Sequence, residues 1–360
     1  MEVQQRGKDA KHLTEGKSFR KFNHKKRLSF FSMNQIHISK FLLCLIQIIY
    51  TFFPDSVAHK FIRLQYQMGK NEQGEPIYDI GVEDCYFVIH WIIILTFLRA
   101  YLMEKCFRAY AEKRLHIKSR KAKTRFREQS WSFVYYSSSF IFGVYLYVGA
   151  PYQYDIDALY ANWPHYQLSL LFKKYYLIAI AFWLQQIFVL NVEEKRKDHL
   201  QMFSHHIITC LLLIGSYYYY FNRIGHLILM IMDSVDVLLA LAKVLKYAGY
   251  QKMCHLVFGL FLISWILLRH VAYNWLYYHA WNKSTSLMLA AKCGTRGFQK
   301  RCWDGTVIYG FLSLLGGLQI VTIIWLILIL KVAYNVMTGK GGEDIRSDDD
   351  EKHVLDETKK

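Results

Sequence analysis

With 360 residues, of which 53% are apolar and 17% aromatic, the chain carries more hydrophobic surface than an ordinary soluble domain. Its runs of about twenty apolar residues match the thickness of a hydrocarbon core. The formal charge of +17 sits in blocks between those runs, which argues against a nucleic-acid-binding protein and for cationic loops gathered on one side of a membrane.

The chain opens on a basic arm, residues 1–35, running from Arg6 and Lys8 to Lys26 and Arg27. No short apolar core with a small-residue cleavage site follows, so the arm reads as cytosolic and drawn to anionic lipid, not as a secretory signal. A first span, about Ile36 to Phe53, stops at Pro54, giving a first transmembrane segment of 36–54. A polar loop over 55–82 with turn residues Gly74 and Pro76 leads to a second span, about Asp84 to Met103. The dense basic segment 104–130 precedes a third span, Trp131 to Val148, which ends at Gly149. A loop nearly free of Lys and Arg, 152–168, leads to the fourth span, about Leu170 to Val192. Phe203 to Tyr220 and Gly225 to Ala242 form a tight helical hairpin. A seventh span covers about Leu256 to Leu276 and an eighth about Val307 to Val332, before a tail of mixed charge at 336–360. The expected fold class is an all-α polytopic membrane protein of about eight transmembrane helices.

Eight spans with both termini cytosolic put the basic blocks 1–35, 104–130, 193–199 and 243–252 on one side. The loop 277–305 falls opposite although it holds Lys283, Lys292, Arg296, Lys300 and Arg301. That loop also carries a glycosylation sequon at Asn282, and Cys293 and Cys302, which either pair in an oxidising compartment or remain two thiols. Arg223 lies at the opposite end of the hairpin from the basic blocks, and the Tyr217–Tyr220 run reads as an interfacial aromatic belt. In the tail, Ser347 precedes an acidic run and is a candidate phosphorylation site.

The hairpin holds the chemistry. It is apolar enough for lipid, yet carries His205, His206, Asp233 and Asp236. Each Asp at mid-bilayer depth costs about 2.5–3.5 kcal/mol on insertion scales, and groups held there at that cost usually react or move something. Asp233 and Asp236 are three apart and share one helix face, and the antiparallel hairpin can bring imidazole and carboxylate to similar depth. An imidazole held at that depth can act as nucleophile or as base. No GxGxxG, Walker-type loop, CxxC pair or HExxH occurs, which disfavours nucleotide-fold, redox and zinc-protease chemistry.

Around that core stand Trp183-Leu184-Gln185-Gln186, Arg196-Lys197-Asp198-His199, Gln201-Met202, Arg223-Ile224-Gly225, Asp233-Ser234-Val235-Asp236 and Ala242-Lys243, with Glu128-Gln129-Ser130-Trp131-Ser132-Phe133 ahead of the third span. This gapped text, over about residues 80–335, resembles the longevity-assurance motif of ceramide synthases within the TLC domain. Met232 stands where animal members often have His, and no homeobox-like insertion is present, so the likeness is to the fungal type. The resemblance implies a six-helix TLC-type bundle over 80–335 that joins a fatty acyl group from acyl-CoA to a sphingoid base, dihydrosphingosine or phytosphingosine, in the endoplasmic reticulum membrane. Acyl-CoA is then a co-substrate, with no cofactor, metal or nucleic acid. Membrane lipids, a small accessory membrane subunit and a homodimer are the candidate partners. By the same implication His205 accepts the acyl group or acts as base, His206 and Asp236 orient it, and Asp233 binds the substrate ammonium. His199, Trp183, Gln186, Arg223 and Lys243 are the candidate substrate-binding residues. Two other classes compete. A metal-dependent lipid hydroxylase needs further His at HxxH spacing, which His90, His116, His226, His255, His270 and His279 do not supply. A non-enzymatic TLC-domain lipid sensor or transporter does not usually keep the paired His and Asp together.

Overall fold

A computed structural model describes residues 34–53, 55–192, 198–293 and 301–338. The basic arm up to residue 33, most of the block 193–199 and the tail with Ser347 lie outside the described residues. Eight long helices run through the described chain: α1 (Asn34–Phe52), α2 (Asp84–Lys113), α3 (Arg120–Tyr147), α4 (Leu170–Val192), α5 (His199–Tyr218), α6 (Asn222–Tyr247), α7 (Gln251–Leu287) and α8 (Gly305–Met337). All but α3 and α6 are long and apolar enough to cross a membrane by length and composition. Those two have the length as well. The protein is an all-α polytopic membrane protein in its architecture.

Local chemistry sets the helix ends. Ser119 accepts from the Ala122 amide at the start of α3, and Asp304 accepts from the Val307 amide at 2.9 Å at the start of α8. Gly249, at φ 87°, turns the chain between α6 and α7 in a conformation that a side chain would strain. Both α2 and α7 contain a π-helical turn, Leu102–Phe107 and Leu267–Ala272.

α4 is the hub. About 56% of its apolar stretch is buried, against 6% for α1, so α4 packs largely inside the bundle while α1 stands at its periphery. Its Tyr176 hydroxyl meets Ser216 of α5 at 2.5 Å and lies so close to Gly225 of α6 that a Cβ there would collide with it. Gly225 is therefore the point where α4, α5 and α6 close on one another.

The loop 55–82 is more ordered than its polar composition predicts. A short helix, Ala58–Ile62, precedes a hairpin of β1 (Gln67–Lys70) and β2 (Pro76–Tyr78), and β3 (Leu168–Ser169) adds to its other edge. The Asn71 side chain accepts from the Gln73 and Glu75 amides, a local turn bond that fixes the hairpin register. Long-range contacts then fasten this end. Buried Lys173 of α4 pairs with Asp84 at 2.8 Å and donates to the Gln65 and Asp79 carbonyls, while Tyr217 and Tyr220 donate to Asp84 and Asp79. Those two tyrosines are buried hydrogen-bond donors, which corrects the expectation of an interfacial aromatic belt for Tyr217 and Tyr220, while Tyr218 of the same run is exposed. Arg301 pairs with Asp79, and His279 with Asp157 at 2.7 Å. The three loops assigned to one side of the membrane thus meet at one end of the bundle.

Candidate active site

The hairpin α5–α6 packs against α3, α4, α7 and α8, and its polar side chains meet residues from all four. His205 and His206 flank the Trp183 indole of α4, each ring 5.4 Å from it and nearly perpendicular, and His205 also meets Trp325 of α8 at 5.1 Å. Aromatic rings thus hold the imidazoles in place. The Nδ1 atoms of both are buried and without a hydrogen-bond partner.

The two carboxylates diverge. Asp236 pairs with Arg269 of α7 at 2.8 Å, and that guanidinium also donates to the Met232 carbonyl at 3.1 Å and lies over the Trp265 ring at 4.2 Å. Arg269 is carried by the π-helical turn of α7, a local distortion that recurs at functional sites. Asp233 turns the other way, buried in the α3–α6 contact, and accepts a 2.6 Å hydrogen bond from Ser139. Three residues along a helix is about a 60° offset, enough to send one carboxylate toward α3 and the other toward α7.

Two cavities meet at this point. The first, about 1530 Å³ including space open to solvent, is the more polar of the two, with Arg99, Arg125 and Lys243 supplying positive charge, Glu128 and Asp198 negative charge, and Gln129, Ser132, Gln186, His199 and His206 among its walls. The second, about 900 Å³, is almost wholly apolar and extends along α5, α6 and α8 toward the β-hairpin end. Trp183, His205, Asp236 and Arg269 line both. A group at this junction touches a charged compartment on one side and a hydrocarbon one on the other.

The sequence-derived candidates distribute unevenly. His205, His206, Asp236, His199, Trp183, Gln186 and Lys243 all line the polar cavity. Asp233 lines neither cavity, because it is sealed against Ser139, so the four residues do not converge on one point as the hairpin alone suggested. Arg223 is also elsewhere: it donates to the Ala158 carbonyl at 2.6 Å and lies over Tyr152, tying the loop after α3 to α6. Cys293 and Cys302 form a disulfide. Asn282 lies on α7, which continues past the expected end of the span at Leu276, and its amide donates to the Tyr278 carbonyl at 2.9 Å.

Sequence reasoning passed over Arg269, Ser139, Arg99, Arg125 and Trp325. Arg269 had a signal, since it is a lone Arg within an apolar span and carries the same insertion cost as the two Asp. Ser139 had none, because a Ser in a polar-faced helix is ordinary until its partner is seen.

Comparison with known proteins adds to this geometry. A family profile described as the TLC domain matches residues 125–331. The chain is 38% identical over 298 residues to the sphingosine N-acyltransferase lag1 of Schizosaccharomyces pombe, covering 81% of this chain and 73% of that protein. It is 36% identical to the sphingosine N-acyltransferase-like protein ALT7 of Alternaria alternata, covering 76% and 69%. With the ceramide synthase LAG1 of Saccharomyces cerevisiae it shares 33%, covering 81% and 70%.

Proposed function

The chain belongs to the sphingosine N-acyltransferase (ceramide synthase) family of TLC-domain membrane enzymes, and from that footing we propose that it forms ceramide by moving a fatty acyl group from acyl-CoA to the amine of a sphingoid base, with His205 receiving the acyl group. One observation carries the reading: His205 stands where a polar cavity holding Arg99, Arg125 and Lys243 among charges of both signs meets an apolar cavity. Acyl-CoA has the same two-part character. Its anionic nucleotide head suits Arg99, Arg125 and Lys243, and its hydrocarbon tail suits the apolar walls. The thioester joining them then falls at the shared residues.

In this account an imidazole nitrogen of His205 attacks the thioester carbonyl, the C–S bond breaks, and the CoA thiolate leaves through the polar cavity. The free amine of the base then attacks the acyl-imidazole, the C–N bond to His205 breaks, and the amide remains. The incoming ammonium must first lose a proton, and His206, which lines the polar cavity, is assigned that task. Asp236 takes over the attraction of the ammonium that the sequence suggested for Asp233. Arg269 counters negative charge developing on the carbonyl oxygen. Asp233 keeps a positioning role through Ser139.

Placement in the endoplasmic reticulum membrane with both termini cytosolic belongs to the same proposal. It is supported by the joining of three loops at the end that carries the Cys293–Cys302 disulfide, a bond that persists in an oxidising lumen. The test is single replacement of His205, His206 and Asp236 by Ala in membranes supplied with acyl-CoA and sphingoid base. Loss of ceramide formation by at least about 10²-fold in His205→Ala is expected. Undiminished formation in that variant overturns the assignment.

A further inference from the structure

With its carbonyl carbon at His205, an acyl chain runs into the apolar cavity, and three helices measure its depth independently. The lining extends from His205 to Ser216 on α5, from Asp236 to Ile224 on α6 and from Leu318 to Ile308 on α8. At a rise of about 1.5 Å per residue these stretches are roughly 16.5, 18 and 15 Å long. The three lengths agree to within about 3 Å.

Aromatic rings cross the far part of the lining, with Phe311 one turn short of Ile308 on α8. Phe221, from the α5–α6 turn, meets Phe311 of α8 edge to face at 5.1 Å. Trp163 stacks behind Phe221 at 5.4 Å and is anchored through its indole nitrogen to the Tyr219 carbonyl. Gly215 lets Phe311 lie directly on the α5 backbone, since a Cβ there would come within 3.0 Å of the ring. The floor is therefore held from both sides and cannot swing away without disturbing α5.

Resting on acyl transfer at His205, we propose that the Phe221–Phe311 pair is a chain-length gauge and that the preferred donor is a long-chain acyl group, not a very-long-chain one. An extended saturated chain advances about 1.25 Å per carbon, from C–C bonds of about 1.5 Å at tetrahedral angles. A slot of roughly 15–18 Å accepts about 12–14 carbons beyond the carbonyl, so acyl groups of about 13–15 carbons fill it. Chains of about 24–26 carbons overrun the floor by on the order of 10 Å.

The experiment offers the purified full-length enzyme, in lipid, saturated acyl-CoAs from about 12 to about 26 carbons with one sphingoid base, and reads ceramides by mass spectrometry. Wild type is expected to show its highest kcat/KM at about 13–15 carbons and at least about tenfold less at 24 and beyond. Phe311→Ala, which removes a ring about 5 Å long, moves the optimum up by about four carbons. Leu315→Phe, one turn nearer His205, moves it down and carries the test with the wild-type panel if Phe311→Ala does not fold. A very-long-chain optimum that neither variant shifts overturns the gauge while leaving acyl transfer standing. Ceramide from no acyl-CoA in the panel overturns the transfer reading, and the gauge with it.

Discussion

Replacing Arg269 with Ala probes both the packing and the chemistry of the site. In the native structure its guanidinium is 4% exposed, pairs with Asp236 at 2.8 Å, bonds the Met232 carbonyl and covers the Trp265 ring. Removing it leaves Asp236 as a carboxylate with its side chain only 18% exposed and its Arg269 bond gone. Breaking one side of a buried ion pair typically destabilises by about 3–5 kcal/mol. For a chain of this size that corresponds to a drop on the order of 5–10 °C in the apparent melting temperature in detergent. Asp236→Asn removes the charge that Arg269 neutralises, so the pair should couple: Arg269→Ala in the Asp236→Asn background should be milder by roughly 1–3 kcal/mol than in wild type. The assay is thermal melting of the four proteins of this cycle, with ceramide formation measured alongside. Additive effects, or an Arg269→Ala protein melting within a degree or so of wild type, would refute the claim that this pair holds α6 to α7.

Other perturbations follow from single contacts. Ser139→Ala deletes the hydrogen bond to buried Asp233 and should destabilise by about 1–3 kcal/mol, with KM for acyl-CoA unchanged because Asp233 lines neither cavity. Combined Arg125→Ala and Lys243→Ala should raise KM for acyl-CoA several-fold and flatten its dependence on ionic strength, while a neutral short-chain thioester is little affected. Gly225→Ala places a methyl group against the Tyr176 hydroxyl at the α4–α5–α6 closure, and melting should show a loss of about 1–3 kcal/mol. Changing Cys293 and Cys302 together to Ser reopens a loop of separation 9, for which the chain-entropy estimate is about 2.5 kcal/mol, and non-reducing electrophoresis with melting checks it.

The spans were readable because lipid imposes a length and a composition on any helix that crosses it, and six of the eight long helices meet that test. The hairpin residues were readable for the same reason, since a charge in an apolar run stands out. Contacts between distant segments left less trace. Asp233 and Asp236 look equivalent in sequence, and their separation into a sealed bond with Ser139 and an ion pair with Arg269 depends on which helix packs on each side. The hairpin of β1 and β2 was hidden because strands this short hold by joining β3 and the Lys173–Asp84 pair, partners far along the chain. Tyr217 and Tyr220 left the expected belt because Asp84 and Asp79, from the helix start and the preceding loop, draw them inward, while Tyr218 stays exposed.

The account turns on acyl transfer through one imidazole, which intact-mass spectrometry under single-turnover conditions measures directly. Enzyme mixed with acyl-CoA and no sphingoid base should gain the mass of one acyl group, mapped by peptide analysis to His205, and should lose it on addition of the base. An active preparation that never acquires that mass, or a His205→Ala variant that does, contradicts the account.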